Sequence, residues 1–367
     1  VERACSMLIG IFGTGRNGSS LISHLLDGLG KTYVHPVEER FLTAFNGLAV
    51  NKRVGRLVQQ NCVSGKLMGL DGRLTTPVLN SYFNQSLSAL YEHCDKVQEH
   101  LPAFERIPVK QLLGKQDYLV EDFTEEYLSK LGQLVRPDIS FQHHLFKSIE
   151  TPYINDYAVR FPNMKFIHIV RDPVDVCSSQ KRSLLENKKV PASYLGFDWL
   201  SCMLDKRWIP HAKYLEGLAN DPRHIVVRYE DLTLHPEAEI LRIAEHLGVP
   251  APARPGTQTL FHNLDSKGWG GNPSKKGVDM PATVVRNLQA DNDYEEILTE
   301  REIGVIANKT SAYLDQFGYR PRSDMTMSDV RKAYLKIDKW EFMHCKTPSR
   351  LLRGLYGVAY RRIGLLS

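Results

Sequence analysis

No run of about twenty apolar residues occurs in this 367-residue sequence, so no segment offers itself as a membrane-spanning helix. A strand-like stretch begins almost at once, at Met7, so neither a signal peptide nor an anchor is expected ahead of it. The six cysteines, Cys5, Cys62, Cys94, Cys177, Cys202 and Cys345, show no paired spacing, which points to a reduced interior and a cytoplasmic protein. Histidine and cysteine nowhere cluster at ligand spacing and no EF-hand pattern appears, so no metal is expected. The basic residues accompany no recognised nucleic-acid-binding motif, which leaves nucleic acid out as a partner. Acid is missing from the last stretch, Lys346 to Ser367. Its Lys346, Arg350, Arg353, Arg361 and Arg362 match the +5 net charge of the whole chain, so the remainder is balanced.

What is present is a globular composition, 42% hydrophobic, with strands and helices in alternation. Strands are expected at Met7 to Phe12, Thr32 to His35, Gln142 to Lys147, Phe166 to Val170 and Ile225 to Tyr229. Helices are expected at Ser19 to Leu29, Val174 to Leu185 and Pro236 to Leu247, the last ended by Gly248. This order predicts an α/β fold with a central, mostly parallel β-sheet flanked by helices. Residues 1–325 read as one domain with a mainly helical insertion at about 41–140, and 326–367 as a basic helical extension. The stretch from Val54 to Val135 shows no internal repeat; it is either a cap over the strand ends or scaffolding.

Gly13-Thr14-Gly15-Arg16-Asn17-Gly18-Ser19-Ser20 joins the first strand to the first helix. Glycines let backbone N–H groups converge on an anion, and the start of a helix adds a positive end. Leu21, Ile22, Leu25, Leu26 and Leu29 form the stripe that seats this helix on a sheet. Two templates fit the loop. As G-x-G-x-x-G it is a dinucleotide fingerprint, with Glu38 at about the distance of a ribose-binding acid. As G-x-x-x-x-G-x-[ST] it is a nucleotide P-loop in which Ser19 replaces the usual lysine. A second segment, Phe161 to Ser179, reads as a buried strand that breaks at Arg171-Asp172-Pro173 and starts a helix. An arginine at a strand tip and Ser179 two helical turns on could grip a second phosphate.

These segments resemble the sulfotransferase family that uses 3′-phosphoadenosine 5′-phosphosulfate. Gly15-Arg16-Asn17-Gly18-Ser19-Ser20-Leu21 is similar to the family's 5′-phosphosulfate loop, and Arg171 with Ser179 to its 3′-phosphate motif. Val227-Arg228-Tyr229-Glu230-Asp231-Leu232 resembles its Y-E-D-L element, whose tyrosine lies by the adenine. Leu145-Phe146-Lys147-Ser148 resembles its strand ending in lysine. The likeness runs from about Met7 to Leu247 and is poor between Phe41 and Gln142. It implies a P-loop, sulfotransferase-like nucleotide-binding fold. It also implies sulfuryl transfer from 3′-phosphoadenosine 5′-phosphosulfate (PAPS) to an acceptor hydroxyl of a carbohydrate, glycolipid or small metabolite. The product would be 3′,5′-adenosine bisphosphate (PAP), and no metal would take part. Charge sheds onto the bridging oxygen of the departing phosphate, where cations and N–H donors help most. Arg16 and Lys147 are the candidates for that task, aided by the amides from Asn17 to Ser20 and both serine hydroxyls.

The acceptor hydroxyl needs a base. Cytosolic phenol and steroid sulfotransferases place a histidine two residues after the motif lysine, where this chain has Ile149. Golgi-type enzymes, tyrosylprotein sulfotransferases among them, use a glutamate soon after the first helix. The comparable stretch here is Glu38-Glu39-Arg40, so the chain is read as closer to these and to bacterial members, with Glu39 favoured and Glu38 next. His143, His144 and Glu150 are further candidates, and Pro36 allows these acids to be no more than a solvated helix start. A glycine- and lysine-rich loop, Ser266 to Gly277, suits a flap over the nucleotide, with Lys275 and Lys276 on the 3′-phosphate. The basic tail reads either as a helix packed on its own domain or as an amphipathic helix at a membrane surface or partner. Golgi members usually carry an anchor, so a Golgi lumen is the alternative compartment. Rival activities are an NAD-dependent oxidoreductase of Rossmann type, a P-loop kinase, and a nucleotide-binding module without catalysis.

Overall fold

β1 (Met7–Phe12) is the middle strand of a five-stranded parallel sheet in the computed structural model of the chain, in the order β2-β3-β1-β4-β5. The structure describes residues 7–39, 41–42, 107–113, 119–149, 151–186, 203–218, 221–251, 294–326 and 328–329, together with 91–92, 94–95, 98 and 200. In chain order, β1 is followed by α1 (Ser19–Leu26), β2 (Thr32–Glu38), α2 (Val120–Val135), β3 (His143–Ser148) and α3 (Ile154–Arg160). Then come β4 (Lys165–Val170), α4 (Pro173–Glu186), α5 (Ile209–Glu216), β5 (His224–Arg228), α6 (Tyr229–Leu234), α7 (Pro236–Leu247) and α8 (Glu300–Leu314). The expected α/β architecture is therefore present.

The chain forms two compact units. One holds Val1–Arg171 and Gly217–Gln289, and the other Asp172–Glu216 and Ala290–Ser367. In the first, Leu21, Ile22, Leu25 and Leu26 of α1 and Ile240, Ile243, Ala244 and Leu247 of α7 are buried against Ile9, Ile11, Leu145, Ile167, Ile169 and Val227. Full burial of each such aliphatic side chain contributes roughly 1.5–3 kcal/mol, so this layer carries the sheet. The layer around Phe12 is aromatic, with Phe146, Tyr157 and Phe166 at ring-contact distances. Gly248 ends α7 in the left-handed conformation, φ 68°, while Val249 N donates to Ala244 O at 3.0 Å.

In the second unit Asp172 opens α4 by accepting from Val174 N at 2.8 Å. Arg322 forks onto Asp172 and Asp175, and its guanidinium lies 4.8 Å from the Tyr294 ring centre. Lys181 pairs with Glu302 at 2.7 Å, and Glu302 also closes a capping box with Thr299 at the start of α8.

Several boundaries differ from the sequence reading for local reasons. α1 stops at Leu26 rather than Leu29, because Asp27 is extended and Gly28 is left-handed at φ 85°. β2 runs on through Pro36 to Glu38, so the acids do not open a helix there. Tyr229 begins α6 rather than ending β5. Of the proposed insertion, α2 and a short helix Val109–Leu112 are described. The flap at Ser266 to Gly277, the basic tail from Lys346 and the base candidate Glu150 lie outside the described residues, as do Cys5, Cys62, Cys202 and Cys345; Cys94 and Cys177 are free and buried. No helix among the described residues is long and apolar enough to cross a membrane.

Candidate active site

In a parallel sheet every strand ends at the same edge, and that edge binds ligands in open α/β folds. Here it gathers Glu38 from β2, Lys147 from β3, the Gly13-to-Ser20 loop after β1 and Arg171 just beyond β4. The order of strands matters. β3 lies between β2 and β1, whereas the dinucleotide-binding order sets those two side by side. Glu38 is thus a full extra strand, about 5 Å, farther from the glycine loop than a ribose-binding acid would be.

The loop is held by its own side chains and by β4. Asn17 has no exposed surface; its Nδ2 donates to Ile169 O at 2.7 Å and its Oδ1 accepts from Ser19 N at 3.3 Å. Its side chain is thus spent on holding the loop. Gly15, Arg16 and Gly18 all take positive φ, 77°, 59° and 95°. For a non-glycine residue such as Arg16 this conformation costs about 1–2 kcal/mol, strain of the kind stored at functional sites. Gly18 is the N-cap of α1, whose first turn carries no acid to repel an anion. Glycine is required at 18 for a second reason: an added Cβ would run into the ring of Tyr229.

Tyr229 thus lies against the loop, and the Arg171 guanidinium lies 4.3 Å from its ring centre. Arg171 also donates from Nη1 to Arg16 O at 3.2 Å. A single cluster therefore links loop, β4 tip and the start of α6. The family resemblance implies a place by the adenine for Tyr229 but gives no sign of its contact with Gly18. Ser179 lies on α4 in the second unit and is half-buried. Lys275 and Lys276 lie outside the described residues.

Lys147 is buried, and its Nζ donates to Ser20 Oγ at 3.0 Å, so the β3 lysine meets the loop serine. Loss of solvent pulls its pKa from 10.5 to about 8, against the opposing pull of Glu38. Glu38 pairs with Lys147 across the β2–β3 ladder. Glu38 Oε1 is buried and accepts no hydrogen bond among the described residues, an arrangement that a hydroxyl donor would satisfy.

Glu39, favoured from the sequence as the base, is turned the other way. It has no exposed surface, and its Oε1 lies 2.9 Å from Nε2 of the equally buried His35. Its carboxylate is enclosed in this arrangement. His143 and His144 open β3, four and three residues from Lys147, which sets them about 10–13 Å from it. Burial lowers the pKa of both, that of His144 to about 4, with a further push from His143. Among the described residues no group of three or more His, Cys, Asp or Glu could hold a metal ion.

Comparison with known proteins follows this geometry. The sequence profile of the Sulfotransferase family matches residues 9–253. No curated protein matches the chain. Among solved structures it is similar to the sulfotransferase domain of the Synechococcus PCC 7002 olefin synthase, at 17% identity over 87% of this chain and 97% of that one, with a TM-score of 0.47. It is also similar to sulfotransferase STF9 from Mycobacterium avium, at 16% identity over 87% and 79%, TM-score 0.42. A third is a retinol dehydratase solved with androsterone and inactive cofactor PAP, at 14% identity over 93% and 82%, TM-score 0.28. Family membership rests on the profile, which runs from within β1 to just past α7 and so covers well over half of the sequence: the chain belongs to the sulfotransferase family.

Proposed function

We propose that the protein transfers a sulfuryl group from PAPS to an acceptor hydroxyl, on a carbohydrate, glycolipid or small hydroxylated metabolite. The observation that supports this most is the contact of Lys147 with Ser20 of the phosphate loop, with Arg171 and Tyr229 packed on the same loop. These residues fit a doubly phosphorylated nucleotide. The α1 N-terminus and the amides from Asn17 to Ser20 suit the 5′-phosphosulfate, and Arg171 suits a second phosphate.

In the reaction the acceptor oxygen bonds to sulfur as the sulfur–oxygen bond to the 5′-phosphate breaks, and the electron pair leaves on the bisphosphate. Lys147 and Arg16 meet the charge that grows there, and Ser19 and Ser20 add hydroxyl donors. Glu38 takes the acceptor proton, because its buried oxygen is open to a donor and Glu39 is enclosed. A dinucleotide oxidoreductase is disfavoured by the position of β2, and a P-loop kinase by lysine and arginine where a metal-binding aspartate would end a strand.

Calorimetric titration with PAP, alongside NAD and ATP–Mg, tests the reading, with Arg171→Ala as control. Tight PAP binding weakened by the substitution supports it and justifies an acceptor screen for sulfuryl transfer. Binding of NAD or ATP in place of PAP would overturn it.

A further inference from the structure

β2 and β3 do not stay in register. Val34 faces Leu145, yet Glu38 faces Lys147, so four steps along β2 match two along β3. Without these two extra residues Pro36, not Glu38, would stand opposite Lys147. Pro36 falls inside the shift and has no N–H to give the ladder, which is where a strand can be interrupted. Such bulges re-aim side chains and collect beside active sites.

Both ends of this bulge are tied inside the protein. His35 precedes it and Glu39 follows it, and their side chains meet at 2.9 Å with neither exposed. Tyr33 lies on the far side of the imidazole, its Oη 3.4 Å from His35 Nδ1. Glu39 N donates to Lys147 O at 2.9 Å, which pins the end of the bulge to the lysine it serves. A buried polar pair is seldom the most stabilising way to fill such a space, since apolar side chains of like volume often do as well or better. Its attested use is to fix one arrangement among several.

We infer that the His35–Glu39 pair is a positioning device, a buried clip across the β2 bulge that holds Glu38 opposite Lys147. Glu39 then contributes through Glu38 and does not touch the acceptor. The inference rests on the functional reading above for its effect on turnover, but not for its effect on Lys147.

The test compares three proteins, each checked for folding by thermal unfolding: wild type, His35→Phe with Glu39→Met, and Glu39→Gln. The double variant keeps the volume and removes the clip, and the glutamine keeps a polar partner for His35. With 13C-labelled lysine, the Lys147 resonance is identified by its absence in Lys147→Arg and titrated directly. Losing Glu38 as a neighbour should move its midpoint below the wild-type value near 8. At pH 6.5, where Lys147 stays charged, kcat should fall by roughly 10²-fold in the double variant, the usual worth of a placed base, with PAP affinity within about threefold. Glu39→Gln should restore most of both readouts. A folded double variant with an unchanged Lys147 midpoint would overturn the inference. If the double variant does not fold, His35→Asn, too short to reach Glu39, is read by the same two measurements. Absence of sulfuryl transfer in the wild type would count against the proposed function, and the Lys147 midpoint would still decide the clip.

Discussion

Replacing Lys147 by arginine, which stays charged at any working pH, should remove a pH dependence that the wild-type protein shows in binding PAP. In the free protein, burial brings Lys147 to about 8. A phosphate charge arriving at about 4 Å is worth roughly 4 kcal/mol at an effective dielectric of 20, or about three pKa units. The bound lysine therefore returns to 10.5 or above, and between the two values each pH unit should cost about tenfold in affinity. Kd should be flat up to about pH 7.5 and then climb tenfold per unit from about pH 8.5 to 10. At pH 8.5 roughly a quarter of free Lys147 holds its proton, so binding should take up about three quarters of a proton. Calorimetry in two buffers of different ionisation enthalpy reads that uptake. Lys147→Arg should show a flat Kd, and the difference in uptake between the two proteins should equal the lysine's share. A wild-type Kd as flat as that of the variant would refute the placement of Lys147 at the phosphate.

Further outcomes follow from single contacts. Lys147→Met should lose sulfuryl transfer yet gain stability: below pH 8 the folded protein bears a buried ammonium, which the unfolded chain holds in water with a pKa near 10.5. The variant should be more stable by up to about 3 kcal/mol at pH 7 in denaturant titrations, and the gap should close between pH 8 and 10.5, where the unfolded wild type binds the extra proton. Gly18→Ala forces a Cβ both into φ 95° and into the Tyr229 ring, so calorimetry should show weaker PAP binding as well as a lower Tm. Gly248→Ala, at φ 68° with nothing within 4 Å of the added Cβ, should cost about 1 kcal/mol and leave PAP affinity unchanged. Arg322→Ala leaves Asp172 and Asp175 buried without their cation and should cost about 3 kcal/mol, read by chemical denaturation; a loss under 1 kcal/mol would show that solvent satisfies both acids.

Much of this was legible in the residues because local and tertiary signals coincide. β1 has the bounds its apolar run gave it, and α7 runs from Pro236 to the left-handed Gly248. A proline at a helix start and a glycine past its end are backbone constraints, which no tertiary contact needs to supply. α3, α5 and α8 were not anticipated. In α3 and α5 the buried residues are few per turn, Ile154 and Tyr157 in one and His211 and Ala212 in the other, and the stripe that marked α1 is missing; α8 does carry such a stripe, Ile303, Ile306, Ala307, Thr310 and Leu314, which the sequence reading passed over. The sequence reading ends a strand at Tyr229; its ring packs on Gly18 from the first turn of a helix, which only the fold brings near.

The choice between Glu38 and Glu39 shows where sequence reading stops. Adjacent residues in a strand face opposite sides, so a motif located to within one position leaves the side undecided. Hydrophobic alternation settles that question for Val34, which joins the core, but a bulge at Pro36 breaks the alternation before it reaches the acids. What then fixes the side is a contact four residues long, His35 to Glu39, invisible to any period-two pattern yet readable as an acid and a base spaced to meet. The pattern His-Pro-x-Glu-Glu carried the information. A histidine beside a proline marks where a ladder is interrupted, and of the two acids the one that reaches back to that histidine is the one withdrawn from the acceptor. On this argument, moving the histidine should exchange the two acids. With His35→Val, nothing calls Glu39 inward, and Glu38→Gln, inactive on its own, should regain part of its turnover in that background if Glu39 can swing out. Failure to regain any turnover, in a variant that still folds and binds PAP, would mean that the backbone of the bulge alone sets the direction of these side chains.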